Sequence, residues 1–290
     1  MVIFLAVAIL GLTGLSKLSE GFMEDDNWLK DMENEVVTIE EQLASPDLDE
    51  EERVDLEVQR DDLQEMIANN LEWNQPSTRE GMIVDAYGVM SLVTLLTIIA
   101  SAGIVATEFS QGTIKMLLSR PVKRWKILMS KYVTVLLFGL MLTAITYILS
   151  VVGAFIFFGP AEGNSILWSG AELATTAVWG KSIYLMFLGF INVVMISTFA
   201  FMVGSVFRST SLAIGLSLFL FFTGPVIAMF LEKFEIAKYS FFAHDLTQYE
   251  TGFKILDSNT MSFSIVVLIV YAIVFLAISF TTFIKRDITA

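Results

Sequence analysis

Apolar positions along the chain gather into six long runs, about 1–18, 82–106, 132–158, 182–206, 210–231 and 262–284. A helix needs ~20 apolar residues to cross the ~30 Å hydrocarbon core of a bilayer, and most of these runs supply them. None alternates apolar and polar residues as a barrel strand does, and in lipid a helix satisfies its own backbone. The pattern predicts an all-α membrane protein with six transmembrane helices. The first run, 1–18, is short for a spanning helix and begins at Met1 with no cationic flank. One reading of it is a cleaved signal peptide, although no basic stretch opens it and no small-residue cleavage site precedes Ser19. The other reading is a start from which an upstream cytoplasmic segment is missing.

The period changes between the first and second runs. Trp28, Met32, Val36, Ile39 and Leu43 recur at steps of four, four, three and four, which places them on one helix face. The string SPDLDEEE at 45–52 then interrupts the pattern, with Ser45 suited to an N-cap, Pro46 to the first helical position and acids to the first turn. Leu56, Leu63 and Ile67 form a second stripe that runs to Trp73, and Pro76 ends it. Residues 19–81 therefore read as an antiparallel helical hairpin outside the membrane. Its narrow stripes suit packing on itself, on a partner copy or on the remainder, residues 82–290.

Charge gives the runs an orientation. Residues 20–85 hold 22 of the 31 acids and 4 of the 18 Lys and Arg, so the remainder holds 9 acids and 14 cations. Six cations, Lys115, Arg120, Lys123, Arg124, Lys126 and Lys131, crowd the segment 107–131. Arg208 sits in the short turn between the fourth and fifth runs, and Lys285-Arg286 lie near the C-terminus. Cationic loops stay in the cytoplasm, which predicts a multi-pass protein with both termini inside. Segments 20–81, 159–181 and 232–261 are then expected outside.

Little in the chain suggests chemistry. There is no Cys for a disulfide or a thiol nucleophile, and the one histidine, His244, makes no metal cluster alone. An EF-hand loop starting at Asp47 would put Glu52 where Gly is needed and Val58 where the bidentate acid is needed. The GKS at 180–182 lacks the upstream Gly of a phosphate loop, since position 175 is Thr175. Neither an HExxH nor a GxSxG motif is present, nor a pair of acids deep in a run. The chain is expected to be non-catalytic, to hold no cofactor or metal of its own, and to bind no nucleic acid. Asp85 lies near the outer interface, where water can hydrate it. Asn192 reads either as a hydrogen bond between helices or as a substrate contact. Gly224-Pro225 falls inside the fifth run, where Pro frees a carbonyl and bends the helix, as a structural kink or as a gating hinge.

The basic segment is punctuated. Gly112-Thr113 breaks the end of the second run, and Ser119-Arg120-Pro121 makes a corner, because the residue before Pro avoids helix. A plain anchor for anionic lipid needs its cations in no such order. The string Glu108-x-x-x-Gly112-Thr113-x-x-x-Leu117-Leu118-Ser119-x-Pro121-x-x-Arg124 resembles the segment after the second span of type 2 ATP-binding cassette (ABC) exporter permeases. A second stretch, YSFFAHDLTQYETG at 239–252, is similar to the outer segment between the fifth and sixth spans of bacitracin-resistance-like bacterial permeases.

That resemblance implies a bacterial plasma-membrane permease subunit. Residues 107–131 would be its coupling helix, docking on two copies of a separate cytoplasmic ATPase that binds ATP and Mg. A second permease copy, or a related permease, would complete the pathway. Glu108, Gly112, Thr113, Leu117, Leu118, Arg120, Pro121 and Arg124 would make the coupling, with Glu108 and Arg124 as the polar contacts to the ATPase. Asn192, Gly224 and Pro225 would lie at a gate or pathway. Export of an amphipathic or hydrophobic substrate, such as an antimicrobial peptide or antibiotic, is the function implied. The competing expectation is a membrane sensor or scaffold that binds an extracellular ligand through the acidic hairpin. Two departures from the family pattern stand out: no amphipathic helix precedes the first span, and the acidic hairpin is larger than in simple members.

Overall fold

The apolar runs fold as helices whose ends fall close to the runs themselves. The structure, a computed structural model, describes residues 2–23, 28–44, 50–68, 78–112, 122–160, 178–207, 209–231, 233–251, 254–256 and 259–285. In chain order the helices are α1 (Val2–Met23), α2 (Trp28–Leu43), α3 (Glu50–Ala68), α4 (Arg79–Val84), α5 (Met90–Ser110), α6 (Arg124–Phe157), α7 (Val178–Val206), α8 (Thr210–Phe230), α9 (Gln248–Thr251) and α10 (Met261–Lys285). Tighter 3-10 turns occupy Asp85–Val89, Glu235–Tyr239 and Phe241–Ala243. All regular structure among the described residues is helical.

Five stretches are long and apolar enough to cross a membrane: Arg79–Ser110, which joins α4 to α5 through the first 3-10 turn, and then α6, α7, α8 and α10. The run at 1–18 forms most of α1, but its apolar part, Val2–Leu18, is shorter than the others. Five of the six predicted spans thus have the length. α1 nonetheless lies along α6. Leu5 and Ile9 are fully buried in one cluster with Leu142 of α6 and Met90 of α5. The Thr13 hydroxyl donates back to the Ile9 carbonyl (3.0 Å) and lies 3.0 Å from where a Cβ on Gly153 would stand.

Local chemistry explains several boundaries. Thr78 caps α4, its hydroxyl accepting from the Gly81 N–H (3.2 Å), and Ser209 caps α8 through the Leu212 N–H (3.4 Å). α5 stops at Ser110 because Gly112 takes φ +71°, the left-handed conformation that ends helices and that Gly adopts without steric cost. The stripe predicted for residues 28–43 is used: Met32, Val36 and Ile39 are buried against Leu63 of α3, with Leu43, Leu56 and Ile67 at the edge. Trp28's side chain and Trp73 lie outside the described residues.

α7 is the axis of the bundle, packed by α5, α6, α8 and α10. Its tightest crossing is with α5, where a Cβ on Gly204 would stand 2.3 Å from the Ala102 carbonyl oxygen. Ser101 donates across the same crossing to the Ser197 carbonyl (2.6 Å). Small residues let two backbones approach this closely, the usual device where helices meet in lipid. Tyr132 joins α6 to α7 through the Thr198 hydroxyl (2.9 Å). The outer faces of α6, α8 and α10 carry exposed Leu, Ile, Val and Phe, as suits helices that meet lipid or a second apolar surface.

Candidate functional site: a cavity beneath an infolded segment

The connection between α8 and α10, expected as an outer loop, turns back into the bundle instead. Phe241, Ala243, His244, Leu246 and Gln248 are all buried. Phe241 packs against Phe275 (ring centroids 5.2 Å apart), Tyr271 (5.3 Å) and Phe199 (5.9 Å). Phe275 lies fourteen residues into α10, about 21 Å of helix from its Met261 end, so the segment reaches well down the bundle. Edge-to-face rings contribute beyond their buried area, and five aromatic residues meet here.

Irregular backbone at such depth must find polar partners within the protein. Gln248 does this twice, donating to the Ala243 carbonyl (3.0 Å) and accepting from the Ile255 N–H (2.8 Å). Tyr271 donates to the Tyr239 carbonyl (2.9 Å). His244 Nδ1 meets the Ser264 hydroxyl (2.7 Å), which also meets the Tyr249 hydroxyl (2.6 Å). Burial pushes the His244 imidazole below its ordinary value, against an opposing contribution from the Lys238 backbone, so the ring is neutral at pH 7. Lys181 of α7 and Glu250 form an ion pair at 3.5 Å.

Between this segment, the start of α5, and α7 and α8 lies a cavity of about 410 Å³. Tyr87, Thr94, Asn192, Phe221, Phe222 and Asp245 are among its lining residues, with Pro225 and His244. Asp245 is the charged group of the wall. Its Oδ2 accepts from Asn192 Nδ2 (2.9 Å), and its Oδ1 accepts from the Thr247 N–H (2.9 Å) and hydroxyl (2.7 Å). Among the described residues no Lys, Arg or His forms an ion pair with it.

Asn192, Gly224 and Pro225 therefore come together. Asn192 bonds to the infolded segment rather than to a neighbouring spanning helix. Pro225 lines the cavity while α8 continues through it to Phe230. A Cβ on Gly224 would lie 2.3 Å from Phe242 Cγ, so this glycine is where the Phe242 ring rests on the α8 backbone. Asp85 lies in the 3-10 turn that joins α4 to α5.

The predicted coupling residues form a separate place, at the other end of α5. Glu108 accepts from Lys131 of α6, and Lys131 also donates to the Ile104 carbonyl (3.0 Å). Arg124, at the start of α6, donates to the Ile284 carbonyl (3.2 Å) at the end of α10, answering one of that helix's terminal acceptors. Ser110 and Thr210 hydroxyls meet at 3.0 Å, tying α5 to α8. Glu108 and Arg124, expected to face an ATPase, both have partners within the chain. Thr113, Leu117, Leu118, Arg120 and Pro121 lie outside the described residues. Glu108 is fourteen residues beyond Thr94, so about 21 Å of helix separates this joint from the cavity.

Sequence reasoning passed over Asp245, His244, Phe242 and Tyr87 as site residues. The signal was present in FFAHDLT, 241–247: an aromatic pair is too apolar for a hydrated loop, and Asp two residues before Thr builds its own turn.

Comparison with known proteins adds a family and two relatives. Residues 69–289 match the family described as "Protein of unknown function (DUF2705)". The chain is 37% identical to "Uncharacterized protein YhcI" of Bacillus subtilis (strain 168), covering 97% of this chain and 93% of that protein. It is 35% identical to "Uncharacterized membrane protein YdbK" of the same organism, over 68% of this chain and 78% of that protein. No solved structure matches.

Proposed function

The chain belongs to the DUF2705 family, and from that premise we propose that it is the membrane-spanning permease subunit of an ATP-driven ABC exporter in the bacterial plasma membrane. Its cargo would be an amphipathic or hydrophobic compound of the antimicrobial peptide or antibiotic kind. Two copies of a separate cytoplasmic ATPase would supply ATP and Mg, and a second permease, identical or related, would complete the pathway. The termini and the basic segment 107–131 would lie inside, and α2 and α3 would stand outside as a hairpin. α1, 22 residues and about 33 Å long, would serve as a sixth span.

One observation carries this reading: Glu108, Arg124 and Lys131, all within the basic segment 107–131, fasten it to the bundle. Glu108 grips Lys131 of α6 on one side, and Arg124 grips the end of α10 on the other. A push received by the segment between them would reach α5, α6 and α10 together. Thr210 extends the same joint to α8. α5 then leads along about 21 Å of helix to the cavity wall at Thr94. Coupling requires contacts that differ between two states, and a rigid lever ending at a cavity is a means of producing them.

The test is purification of the full chain from its native membrane in gentle detergent, with partners identified by mass spectrometry. A stoichiometric soluble ATPase with a phosphate loop is the expected companion, together with ATP-dependent flux after reconstitution in vesicles. Purification without any ATPase, repeated with a non-hydrolysable ATP analogue, would overturn the reading in favour of a sensor or scaffold.

A further inference from the structure

The geometry points to the cavity beside Asp245 as a binding site for a hydrophobic organic cation, a single positive charge carried on aromatic or aliphatic groups. As a cargo class this rests on the transport reading above; as a binding site it rests only on the residues of the cavity.

Four features converge. The volume, about 410 Å³, falls in the range that encloses drug-sized molecules. Most of the wall is apolar or aromatic, including Tyr87, Phe221, Phe222 and Phe242, and aromatic faces attract cations that have shed their water. Asp245 brings the one carboxyl group among the lining residues to that wall, where it accepts from neutral donors, Asn192 and Thr247. Neutral donors orient a carboxylate without cancelling its charge, so a cation seated beside a half-buried Asp245 gains a direct charge–charge attraction. The neighbouring His244, neutral at pH 7, supplies no such cation.

The same features exclude the other classes. A hard metal ion needs about six oxygen ligands in place of its water, and Asp245 is the one carboxylate among the lining residues. Asp245 repels an anion, and a neutral apolar compound leaves Asp245 unanswered. The cavity is also accessible. Gly88, Ser91 and Phe222 line the cavity and are exposed, so it opens to the surface of the bundle.

The experiment is calorimetric titration of the purified full chain in lipid nanodiscs with tetraphenylphosphonium. Triphenylphosphine oxide serves as the neutral counterpart and tetraphenylborate as the anionic one. Wild-type protein is expected to bind tetraphenylphosphonium saturably and at least about tenfold more tightly than tetraphenylborate. Asp245→Asn should weaken the cation about tenfold while changing the neutral compound by less than about twofold. Phe222→Ala, whose ring is exposed and so outside the packed core, should weaken the cation about threefold and decides the matter if Asp245→Asn fails to fold. Glu35→Gln on α2 is the unaffected control. Absence of a saturable site in the wild type, equal cation binding by wild type and both cavity variants, or an equal loss in Glu35→Gln would overturn the proposal. None of these titrations involves an ATPase, so a failed purification of partners leaves this result standing, and the reverse holds too.

Discussion

The two ends of α5 join the same helix to its neighbours by opposite means. At its Ser110 end the chain uses a few charged and polar side chains near the surface: Glu108 to Lys131, Ser110 to Thr210 and, alongside, Arg124 to the last turn of α10. Elsewhere along α5 a whole connection is drawn inward: its Phe241 ring packs on Phe199 and Phe275, and its Asp245 accepts from Asn192 beside the cavity near the Met90 end. The first arrangement holds the ends of four helices together through side chains. The second buries its own connection and leaves a cavity beside it. Polar ties between helix ends and a ring-packed connection are different constructions, and the chain uses one at each end.

Substitutions separate the shared scaffold from the two ends. The largest effect is expected at the scaffold. Gly204→Ala would drive a Cβ to 2.3 Å from the Ala102 carbonyl oxygen, and backbone cannot rotate away. A loss of about 3 kcal/mol is expected, measured as thermal unfolding of the detergent-solubilised protein. An unchanged midpoint would mean that the α5–α7 crossing is looser than described, and both ends would lose their common frame.

Gly224→Ala comes next. Its Cβ would meet the Phe242 ring, also at 2.3 Å, but a ring can shift with its segment, so about 1–2 kcal/mol is expected. Adding Phe242→Ala to that variant should recover part of the loss. A double variant no better than the single one would show that the segment does not rest on α8, and the cavity would lose its roof.

At the other end the effects shrink because water competes. The side chains of Lys131 and Glu108 are 13% and 24% exposed, so Lys131→Ala, which removes the Lys131 ammonium from Glu108, should cost about 1 kcal/mol. The exchange of both charges, Glu108→Lys with Lys131→Glu, should restore most of the unfolding midpoint. If each single variant and the exchange unfold alike, the pair contributes no joint.

The scaffold was largely legible in the sequence because burial in helices follows apolar run length, and no turn chemistry can reverse that. Run 182–206 predicts α7 to within four residues at either end, and the α2 stripe named the residues that pack on α3. The punctuation at Gly112 was equally readable, since only one residue type takes φ +71° freely. The cavity was not. Its parts come from Tyr87, Asn192, Phe221 and Asp245, far apart in the chain, and nothing in local composition says that a connection will fold inward. Asn192 was noticed as a polar group inside an apolar run, but its partner belongs to a segment read as an outer loop. Chain reversal into a bundle is a tertiary event, decided by whether Phe241 and Phe242 find a matching surface on α7 and α10.

The smallest effect tests whether that infolded end is sealed. The chain has one histidine, His244, buried against Ser264 and edge-on to Phe263. Burial lowers its proton affinity in the folded state, whereas the unfolded chain binds a proton near pH 6.5. The unfolded state therefore takes up more protons below that value. Stability is full above about pH 7 and declines as pH falls through about 6.5 toward the lower folded value. Thermal midpoints measured from pH 7.5 to pH 5.5 should fall by about one degree more for wild type than for His244→Gln, which keeps a polar partner for Ser264 but cannot titrate. Because no other histidine shares this pH window, the difference between the two profiles reports on position 244 alone. Parallel profiles would mean that water reaches the imidazole, and the infolded segment would then be as open as the basic end with which it is contrasted.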